Sequence, residues 1–279
     1  MSYKSIVVHL DTSDRAHARL ELALRLARRF AAHLTGVFAI YTPEPTSFYV
    51  MAGSADYFRE HWQRRDEQQA ALERLFHAET ARAKVASKWI TADARANTVL
   101  PHHARHADLV IAGQSDPNDP ETFIDDQFPE NLVLSAGRPV LFVPYAGEFR
   151  SIGERVLIAW DGSREAVRAV HDAIPFLEHA KHTTIVAVTN GSDETAGIRI
   201  PGADAALMLA RHARDVTVLD ITRDADDSIG DTLLSRAYET GADLLVMGAY
   251  GHTRWRELLM GGATRTALAS MTLPVLMSH

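Results

Sequence analysis

The stretch "SIVVHLDTSDRAHARLELALRLA", from Ser5 to Ala27, decides the fold, because a close copy of it occurs later in the chain. The copy is "RVLIAWDGSREAVRAVHDAIPFL", from Arg155 to Leu177. Each stretch has the pattern of an apolar strand, an aspartate, a small residue, a serine and an amphipathic helix. The two aspartates, Asp11 and Asp161, are 150 residues apart. The chain therefore contains an internal repeat.

A second pair of matching stretches shows how far the repeat extends. "ADLVIAG" ends at Gly113 and "ADLLVMG" ends at Gly248, and a proline that opens a final apolar run follows 26 residues after each glycine. This offset is 135, so the first repeat has about 15 extra residues, which we place in "YTPEPTSFYVMAGSADYF" at 41–58. We predict two domains, residues 1–146 and 154–279, with a polar linker "YAGEFRSIGE" at their junction.

The apolar segments of each repeat alternate between strand and helix patterns. Near-continuous Val, Ile and Leu strands separated by helices indicate a parallel sheet that is covered on both faces. We therefore predict an α/β protein of two tandem, doubly wound, five-stranded parallel-sheet domains of the Rossmann-like type. The predicted strands are "KSIVVHL", "LTGVFAI", "SKWITA", "ADLVIAG" and "PVLFV" in the first repeat, and "RVLIAW", "TTIVAVT", "VTVLDI", "ADLLVMG" and "PVLMS" in the second.

The amino-acid composition of the chain excludes several classes of function. The chain has 279 residues, a formal net charge of -7 and no cysteine, which excludes disulfides, thiolate zinc sites and cysteine nucleophiles. An acidic balance argues against a general nucleic-acid surface. No apolar stretch is long enough to span a membrane, and the first residues lack the pattern of a secretion signal. We expect a cytoplasmic protein that binds neither nucleic acid nor membranes.

A glycine-rich stretch, "MGAYGHTRWRELLMGG", follows the fourth strand of the second repeat. In doubly wound sheets, ligands bind beyond the carboxyl ends of the strands, where the strand order reverses. Gly248 and Gly251 allow close approach of the backbone to a ligand, and Gly261 and Gly262 precede a helix whose first N–H groups attract anions. The pattern indicates a phosphate cradle, although glycines after a strand are also ordinary turn residues.

The aspartate at the end of the first strand of this repeat also has two interpretations. Asp161 suits a neutral donor such as an adenine amino group or a ribose hydroxyl, if the first and fourth strands are neighbours. Asp161, Gly162 and Ser163 equally fit a turn that caps the following helix.

Together these residues resemble the universal stress protein family, whose ATP-binding members carry Gly-x2-Gly-x9-Gly-Ser/Thr. The resemblance covers nearly the whole chain as two tandem domains and implies the fold of the adenine nucleotide alpha hydrolases. The chain departs from the family pattern at Gly262, where the family has Ser or Thr. The adenine-nucleotide contacts that the resemblance implies are Ala159, Asp161, a backbone group at Val188, Met247, Gly248, Gly251, Gly261, Gly262, Ala263 and Thr264.

The first repeat lacks this motif. At an offset of 135, Gly251 corresponds to Asp116 and Gly261 to Asp126. The stretch "SDPNDPETFIDDQFPEN", at 115–131, contains six acidic residues and no basic one. A triphosphate would meet like charge there, so we predict that only the C-terminal half has a competent nucleotide site.

The resemblance implies a regulatory or stress-response protein that binds ATP or AMP, with or without Mg²⁺, and holds no metal tightly. We predict no catalytic residues, because the chain has neither a positioned general base nor a Walker-type Lys-Ser/Thr pair; at most we expect slow ATP hydrolysis. One alternative is a nucleotide-independent, pseudo-symmetric interaction module of the same family. Another is an ATP-using enzyme on a related fold. The final strands, "PVLFV" and "PVLMS", are candidates for pairing within the chain as a pseudo-dimer, or between chains in a homodimer.

Overall fold

The structure is a computed structural model that describes residues 2–40, 55–117, 127–190, 202–223, 228–251 and 262–279. Its contacts divide the chain into two compact units. One unit comprises residues 3–112, and the other comprises residues 113–279 together with residues 1–2.

The first unit contains four parallel strands in the order β3-β2-β1-β4. Its elements are β1 (Ser5–Leu10), α1 (Ala16–Phe30), β2 (His33–Ile40), α2 (Ala55–Ala83), β3 (Ser87–Asp93), α3 (Ala96–Ala104) and β4 (Leu109–Gly113), the last ending at the unit boundary. The central strands β1 and β4 are almost entirely buried, which explains why their sequences are continuously apolar.

The second unit contains six strands in the order β5-β10-β9-β6-β7-β8. All neighbours are parallel except β5 and β10. Its elements are α4 (Phe128–Ser135), β5 (Val140–Val143), β6 (Arg155–Trp160), α5 (Arg164–Leu177), β7 (His182–Asn190), α6 (Ala203–Leu209), β8 (Val216–Arg223), α7 (Ile229–Glu239), β9 (Leu244–Gly248), α8 (Gly262–Ser270) and β10 (Val275–Ser278). The strand β6 lies between β7 and β9, so the first and fourth strands of this repeat are neighbours.

The register of the strands reproduces the repeat found in the sequence. Ile6 of β1 lies opposite Leu109 of β4, and Val156 of β6 lies opposite Leu244 of β9. These pairs preserve the offsets of 150 and 135 between equivalent residues. The predicted Rossmann-like α/β fold is confirmed.

An aspartate holds the start of the first strand in both repeats. Asp108 Oδ2 accepts a hydrogen bond from the Ser5 N–H at 3.0 Å, and Asp243 Oδ1 accepts one from the Arg155 N–H at 3.0 Å. The aspartate of each "ADL" triplet therefore stabilises the sheet at the amino ends of its strands. A ligand is expected at the other edge, at the carboxyl ends.

The extra residues of the first repeat lie between its second and third strands. Leu34 corresponds to Thr183, an offset of 149, whereas Ser87 corresponds to Val216, an offset of 129. Between them, α2 has 29 residues and α6 has seven. Of the predicted insertion at 41–58, residues 41–54 lie outside the described part of the chain, and the last four begin α2.

The final strands of the two repeats pair with each other within the chain. β5 and β10 are antiparallel and buried, with Leu141 opposite Leu276. Because of this pairing, the second compact unit includes the last strand of the first repeat. The domain limits of 1–146 and 154–279 stay a prediction. In the part of the chain that the structure describes, no helix combines the length and apolar character that a membrane crossing requires.

How closely α7 packs against α8 can be tested at Gly230. A Cβ at Gly230 would lie 2.5 Å from Thr266 Cβ and 3.0 Å from the Ala263 carbonyl oxygen, too close for any side chain. We expect Gly230→Ala to destabilise the protein by about 1–3 kcal/mol, although alanine usually favours a helix over glycine. Gly262→Ala is the matched control, because among the described residues no atom lies within 4 Å of a Cβ there. Urea unfolding followed by circular dichroism measures both, and equal midpoints would show that the helices do not approach this closely.

Candidate functional site

Three neighbouring strands of the second unit end at the same edge of the sheet. Trp160 of β6 lies opposite Ala187 of β7, and Ile158 lies opposite Val246 of β9. The last residues of β6 and β9 are half-exposed there, whereas the preceding residues of both strands are mostly buried. The structure thereby places five of the predicted contact residues along this edge: Ala159, Asp161, Val188, Met247 and Gly248.

Asp161 shapes the turn that leads from β6 into α5. Its Oδ1 accepts a hydrogen bond from the Ser163 N–H at 2.9 Å, and Gly162 between them has a φ of +74°. Ser163 is the N-cap residue of α5, with Oγ accepting from the Ala166 N–H at 3.1 Å. The capping interpretation is thus correct for this turn, and Asp161 remains exposed at the strand end.

The first two motif glycines lie against the start of α5. A Cβ at Gly248 would be 2.6 Å from the Ala166 backbone nitrogen, and a Cβ at Gly251 would be 3.0 Å from Glu165 Oε2 and 3.1 Å from Ser163 Oγ. The backbone contact at Gly248 cannot be relieved by moving a side chain. Close packing against α5 therefore also explains why these positions are glycine, and the sequence alone did not show this packing.

The same loop is also attached to the first turn of α8. The Tyr250 N–H donates to Thr264 Oγ1 at 3.3 Å, and Thr264 is buried. Gly262 is exposed at the start of this helix, followed by the half-exposed Ala263. Residues 247–251 are therefore held between the first turns of α5 and α8, whose N–H groups and dipoles favour a nearby anion. The third motif glycine, Gly261, lies outside the described residues.

A side chain from the first repeat acts on this loop. Burial raises the pKa of Tyr250 to about 12, helped by the carboxylate of Glu130 on α4 and opposed by Arg265 on α8. Tyr250 thus keeps its hydroxyl proton throughout the physiological range. Four further acidic residues of the 115–131 stretch lie outside the described residues: Asp119, Glu121, Asp125 and Asp126.

At the corresponding strand end of the first repeat, the aspartate is paired with an arginine. Asp11 forms the same turn as Asp161, accepting from the Ser13 N–H at 3.1 Å. Its other oxygen, Oδ2, lies 2.6 Å from Nη2 of Arg19 on α1. Arg19 is 3% exposed, and its Nε donates to the His9 carbonyl oxygen at 2.8 Å. The Asp11 carboxylate is therefore already paired with a buried guanidinium group, although the Asp11 side chain itself is 32% exposed.

The cluster formed by His9, Asp11 and Arg19 has strongly shifted protonation equilibria. Burial lowers the pKa of His9 to about 4, with Asp11 opposing and Arg19 adding to the shift. Burial alone would raise the pKa of Asp11, but Arg19, His9 and the hydrogen bond from Ser13 outweigh it and hold that pKa at about 2. At neutral pH the cluster consists of a neutral imidazole beside an ion pair.

Sequence reasoning missed Arg19, although a signal was present. Ala16, Arg19, Leu20 and Ala23 follow helical spacing along the buried side of α1. A charged residue within such an apolar stripe requires a buried partner, and Asp11 was the nearest candidate at a strand end.

Three histidines near the end of α3 also lie close together. The ring centroids of His102 and His106 are 6.2 Å apart, and those of His102 and His103 are 5.4 Å apart. In the described ranges, however, no three His, Asp or Glu side chains are arranged to hold one metal ion.

The buried histidine predicts a specific pH dependence of stability. The unfolded chain binds a proton at His9 with a pKa near 6.5 and the folded chain near 4, so lowering the pH from 6.5 to 4 costs up to about 3 kcal/mol. Asp11, whose folded pKa of about 2 is below its ordinary 3.8, loses its contribution as the pH falls below about 4. In His9→Ala, the first repeat has the alanine that the second repeat has at the equivalent position, Ala159. This variant should lose the pH dependence of stability between pH 6.5 and 4.

Urea midpoints measured at pH steps from 7 to 4 test this expectation. His17→Ala is the control, because His17 on α1 is also a histidine of the first repeat, but its side chain is 54% exposed. An unchanged slope in His9→Ala would contradict the assignment.

Comparisons with known proteins identify the family that both repeats resemble. Residues 2–144 and 153–279 each match the model of the universal stress protein family. A universal stress protein from Archaeoglobus fulgidus DSM 4304 superposes with a TM-score of 0.74 at 16% identity, covering 98% of this chain and 95% of its own. A candidate universal stress protein from Pseudomonas aeruginosa UCBPP-PA14 gives a TM-score of 0.65 at 17% identity, covering 99% and 93%.

At these identities the structural similarities show the fold, and the family follows from the sequence matches. The curated proteins contain no match to the chain. Because the two family matches together span most of its length, the chain belongs to the universal stress protein family and contains two copies of the family domain in tandem.

Proposed function

We propose that the second repeat binds an adenine nucleotide, ATP or AMP, and that the protein acts as a regulator. One observation carries the proposal: a glycine-containing loop lies between two helix N-termini, at a strand edge where the last residues of β6 and β9 are half-exposed. The loop contacts the first turn of α5 through Gly248 and that of α8 through Tyr250. Helix starts on either side of a glycine-containing backbone suit a phosphate chain.

The predicted contacts divide into two groups. Ala159, Asp161 and the backbone at Val188 lie where the adenosine part would bind, and the Asp161 carboxylate suits its amino or hydroxyl donors. The phosphates would be held by backbone N–H groups at Gly251, Gly261, Gly262 and Ala263, with or without Mg²⁺. Thr264 would act mainly through the loop, because its hydroxyl already accepts from Tyr250.

The contrast between the repeats supports a single site. In the first repeat, the last residues of β1 and β4 are buried, whereas the last residues of β6 and β9 are half-exposed. Asp116, which corresponds to Gly251, adds negative charge where a phosphate would lie. We therefore propose one nucleotide per chain.

We further propose that the protein is not an enzyme beyond slow hydrolysis and that it works in the cytoplasm. A regulatory role requires that the nucleotide bind two states of the protein with different affinity. The attachment of the loop to both α5 and α8 offers an element through which binding could change helix packing. In the first repeat, the Glu130 carboxylate lies near enough to this loop to help raise the pKa of Tyr250.

A nucleotide-independent interaction module is the second candidate, and two observations favour it. Gly248 is explained by packing alone, and the Glu165 carboxylate lies beside Gly251, where it would repel a phosphate. In that case the pairing of β5 with β10 would be the functional core of the protein.

Calorimetric titration of nucleotide-stripped protein with ATP and AMP distinguishes the two candidates. We expect one site per chain in the wild type and loss of binding in Gly251→Asp, which copies Asp116. Gly262→Ser, which restores the family hydroxyl in open space, should strengthen binding by about 2–10-fold through one hydrogen bond.

Asp116→Gly is the reciprocal control and should leave the stoichiometry at one. Absence of saturable binding in both the wild type and Gly262→Ser would favour the interaction module. Two sites per wild-type chain would contradict the assignment of the first repeat.

A further inference from the structure

The residue that follows the fourth strand differs between the repeats. Gln114 of the first repeat corresponds to Ala249 of the second at the offset of 135. Their backbones make the same contact with the last strand of their own repeat. The Gln114 N–H donates to the Val143 carbonyl oxygen at 2.9 Å. The Ala249 N–H donates to the Ser278 carbonyl oxygen at 2.8 Å. The two positions are thus equivalent in the structure, but one carries an amide and the other a methyl group.

The Gln114 amide is buried, and both of its ends are hydrogen-bonded to backbone groups. The residue is 8% exposed. Its Nε2 donates to the Ala269 carbonyl oxygen at 2.9 Å, and its Oε1 accepts from the Tyr145 N–H at 3.2 Å. Ala269 lies in the last turn of α8, where carbonyl groups have no partner within the helix. The amide therefore joins the C-terminal end of α8 to the first residue of the linker.

The helix α8 connects this amide to the candidate site. Its nine residues span about 13 Å. At its N-terminal end, Thr264 Oγ1 accepts from the Tyr250 N–H at 3.3 Å. Near its middle, Thr266 packs closely against Gly230 of α7. A helix held near its middle can still tilt about that contact, and the hydrogen bond at Ala269 opposes such a tilt. A constraint at one end of α8 thereby reaches the loop at the other end.

The reciprocal contact cannot form. The equivalent of α8 in the first repeat is α4, where Leu134 corresponds to Ala269 at the offset of 135. The side chain that would have to reach its carbonyl group is that of Ala249, which has no donor. In a symmetric homodimer, this contact would occur twice or not at all. In this chain it acts in one direction, from the first repeat on a helix of the second.

We propose that Gln114 is a positioning residue for the loop at 247–251, so that a side chain of the first repeat sets the geometry of the candidate nucleotide site in the second. Gln114 fixes the C-terminal end of α8, and α8 carries this constraint to Thr264 and Tyr250. Coupling between two sites is reciprocal, so a nucleotide that fixes the first turn of α8 must strengthen the Gln114 contacts by the same free energy. The effect on binding rests on the proposed function, whereas the positioning of the loop does not.

Hydrogen exchange of the intact chain tests the positioning without nucleotide. Gln114→Met keeps the length of the side chain and loses both hydrogen bonds. Mass spectrometry of peptides that contain Tyr145 or Tyr250 should show exchange about 3–10-fold faster than in the wild type, the factor expected for one net hydrogen bond. A peptide that contains Leu157, in the buried centre of β6, should be unchanged.

Arg155→Met is the matched control. The Arg155 Nε donates to the Thr240 carbonyl oxygen at 3.0 Å, at the C-terminal end of α7. This variant therefore also loses a side-chain hydrogen bond to the end of a helix, but that helix does not carry the loop. Exchange at Tyr250 should stay at its wild-type rate. Unchanged exchange at Tyr250 in a folded Gln114→Met protein, or equally faster exchange in both variants, would overturn the positioning role.

The wild type supplies a test that does not depend on the folding of any variant. If Gln114 links the linker, α8 and the loop, their amides open as one cooperative unit. Exchange at Tyr145 and at Tyr250 should then accelerate at the same concentrations of urea below the unfolding transition. Protection at Tyr250 that persists after Tyr145 has opened would overturn the inference.

Calorimetric titration with ATP tests the effect on binding. We expect Gln114→Met to weaken ATP binding about 3–10-fold at an unchanged stoichiometry, and Arg155→Met to bind as the wild type does. In the wild type, saturating ATP should slow exchange at Tyr145 by a similar factor, because the coupling is reciprocal. Equal affinities in Gln114→Met and the wild type would overturn the role of Gln114 in binding.

The outcomes separate this inference from the proposed function. If the wild type binds no nucleotide, the proposed function fails, and exchange at Tyr145 and Tyr250 still decides whether Gln114 positions the loop. If the wild type binds ATP but Gln114→Met neither weakens binding nor accelerates exchange at Tyr250, the proposed function stands and the role of Gln114 falls.

Discussion

The contact between Gly248 and the first turn of α5 is the constraint on which the second-repeat site depends. β6 and β9 are neighbours, so the chain that leaves β9 meets the helix that follows β6. The fit is close enough that one added carbon would lie 2.6 Å from the Ala166 nitrogen. Protein interiors are densely packed and compress little, so a larger residue at position 248 would displace the loop and the edge of the sheet together. The position of the loop, and hence any use of it for binding, follows from this packing.

Each repeat has an aspartate at the end of a central strand, and the surroundings of this aspartate differ between the two repeats. In the second, Asp161 accepts from the turn backbone and remains exposed. In the first, a buried arginine neutralises Asp11, and the neighbouring His9 is held neutral by burial. A buried ion pair adds little net stability compared with apolar packing, since both charges lose their water. Its clear effect is on charge, because the Asp11 carboxylate is paired with Arg19 even though the Asp11 side chain is 32% exposed.

Much of the fold could be predicted because its signals are local and occur twice. Continuous apolar strands, the recurring aspartates and the spacing of Gly113 and Gly248 indicated the order of elements, and the register of β1 with β4 and of β6 with β9 agrees with it. The reason for the glycine at 248 was not predictable, because it depends on a helix more than 80 residues away in the sequence. Arg19 was missed for a related reason: its role appears only when α1 is seen to place the guanidinium at the end of β1.

The pairing of β5 with β10 within one chain explains how such a difference between repeats can exist. In a symmetric homodimer, every substitution appears in both copies, so a site cannot be closed in one and kept in the other. In this chain the paired strands belong to two separately encoded repeats. Arginine at 19 and alanine at 169 can therefore coexist while the shared strand pairing is retained. The tandem arrangement thus preserves the architecture of two family domains and allows the residues at their strand ends to differ.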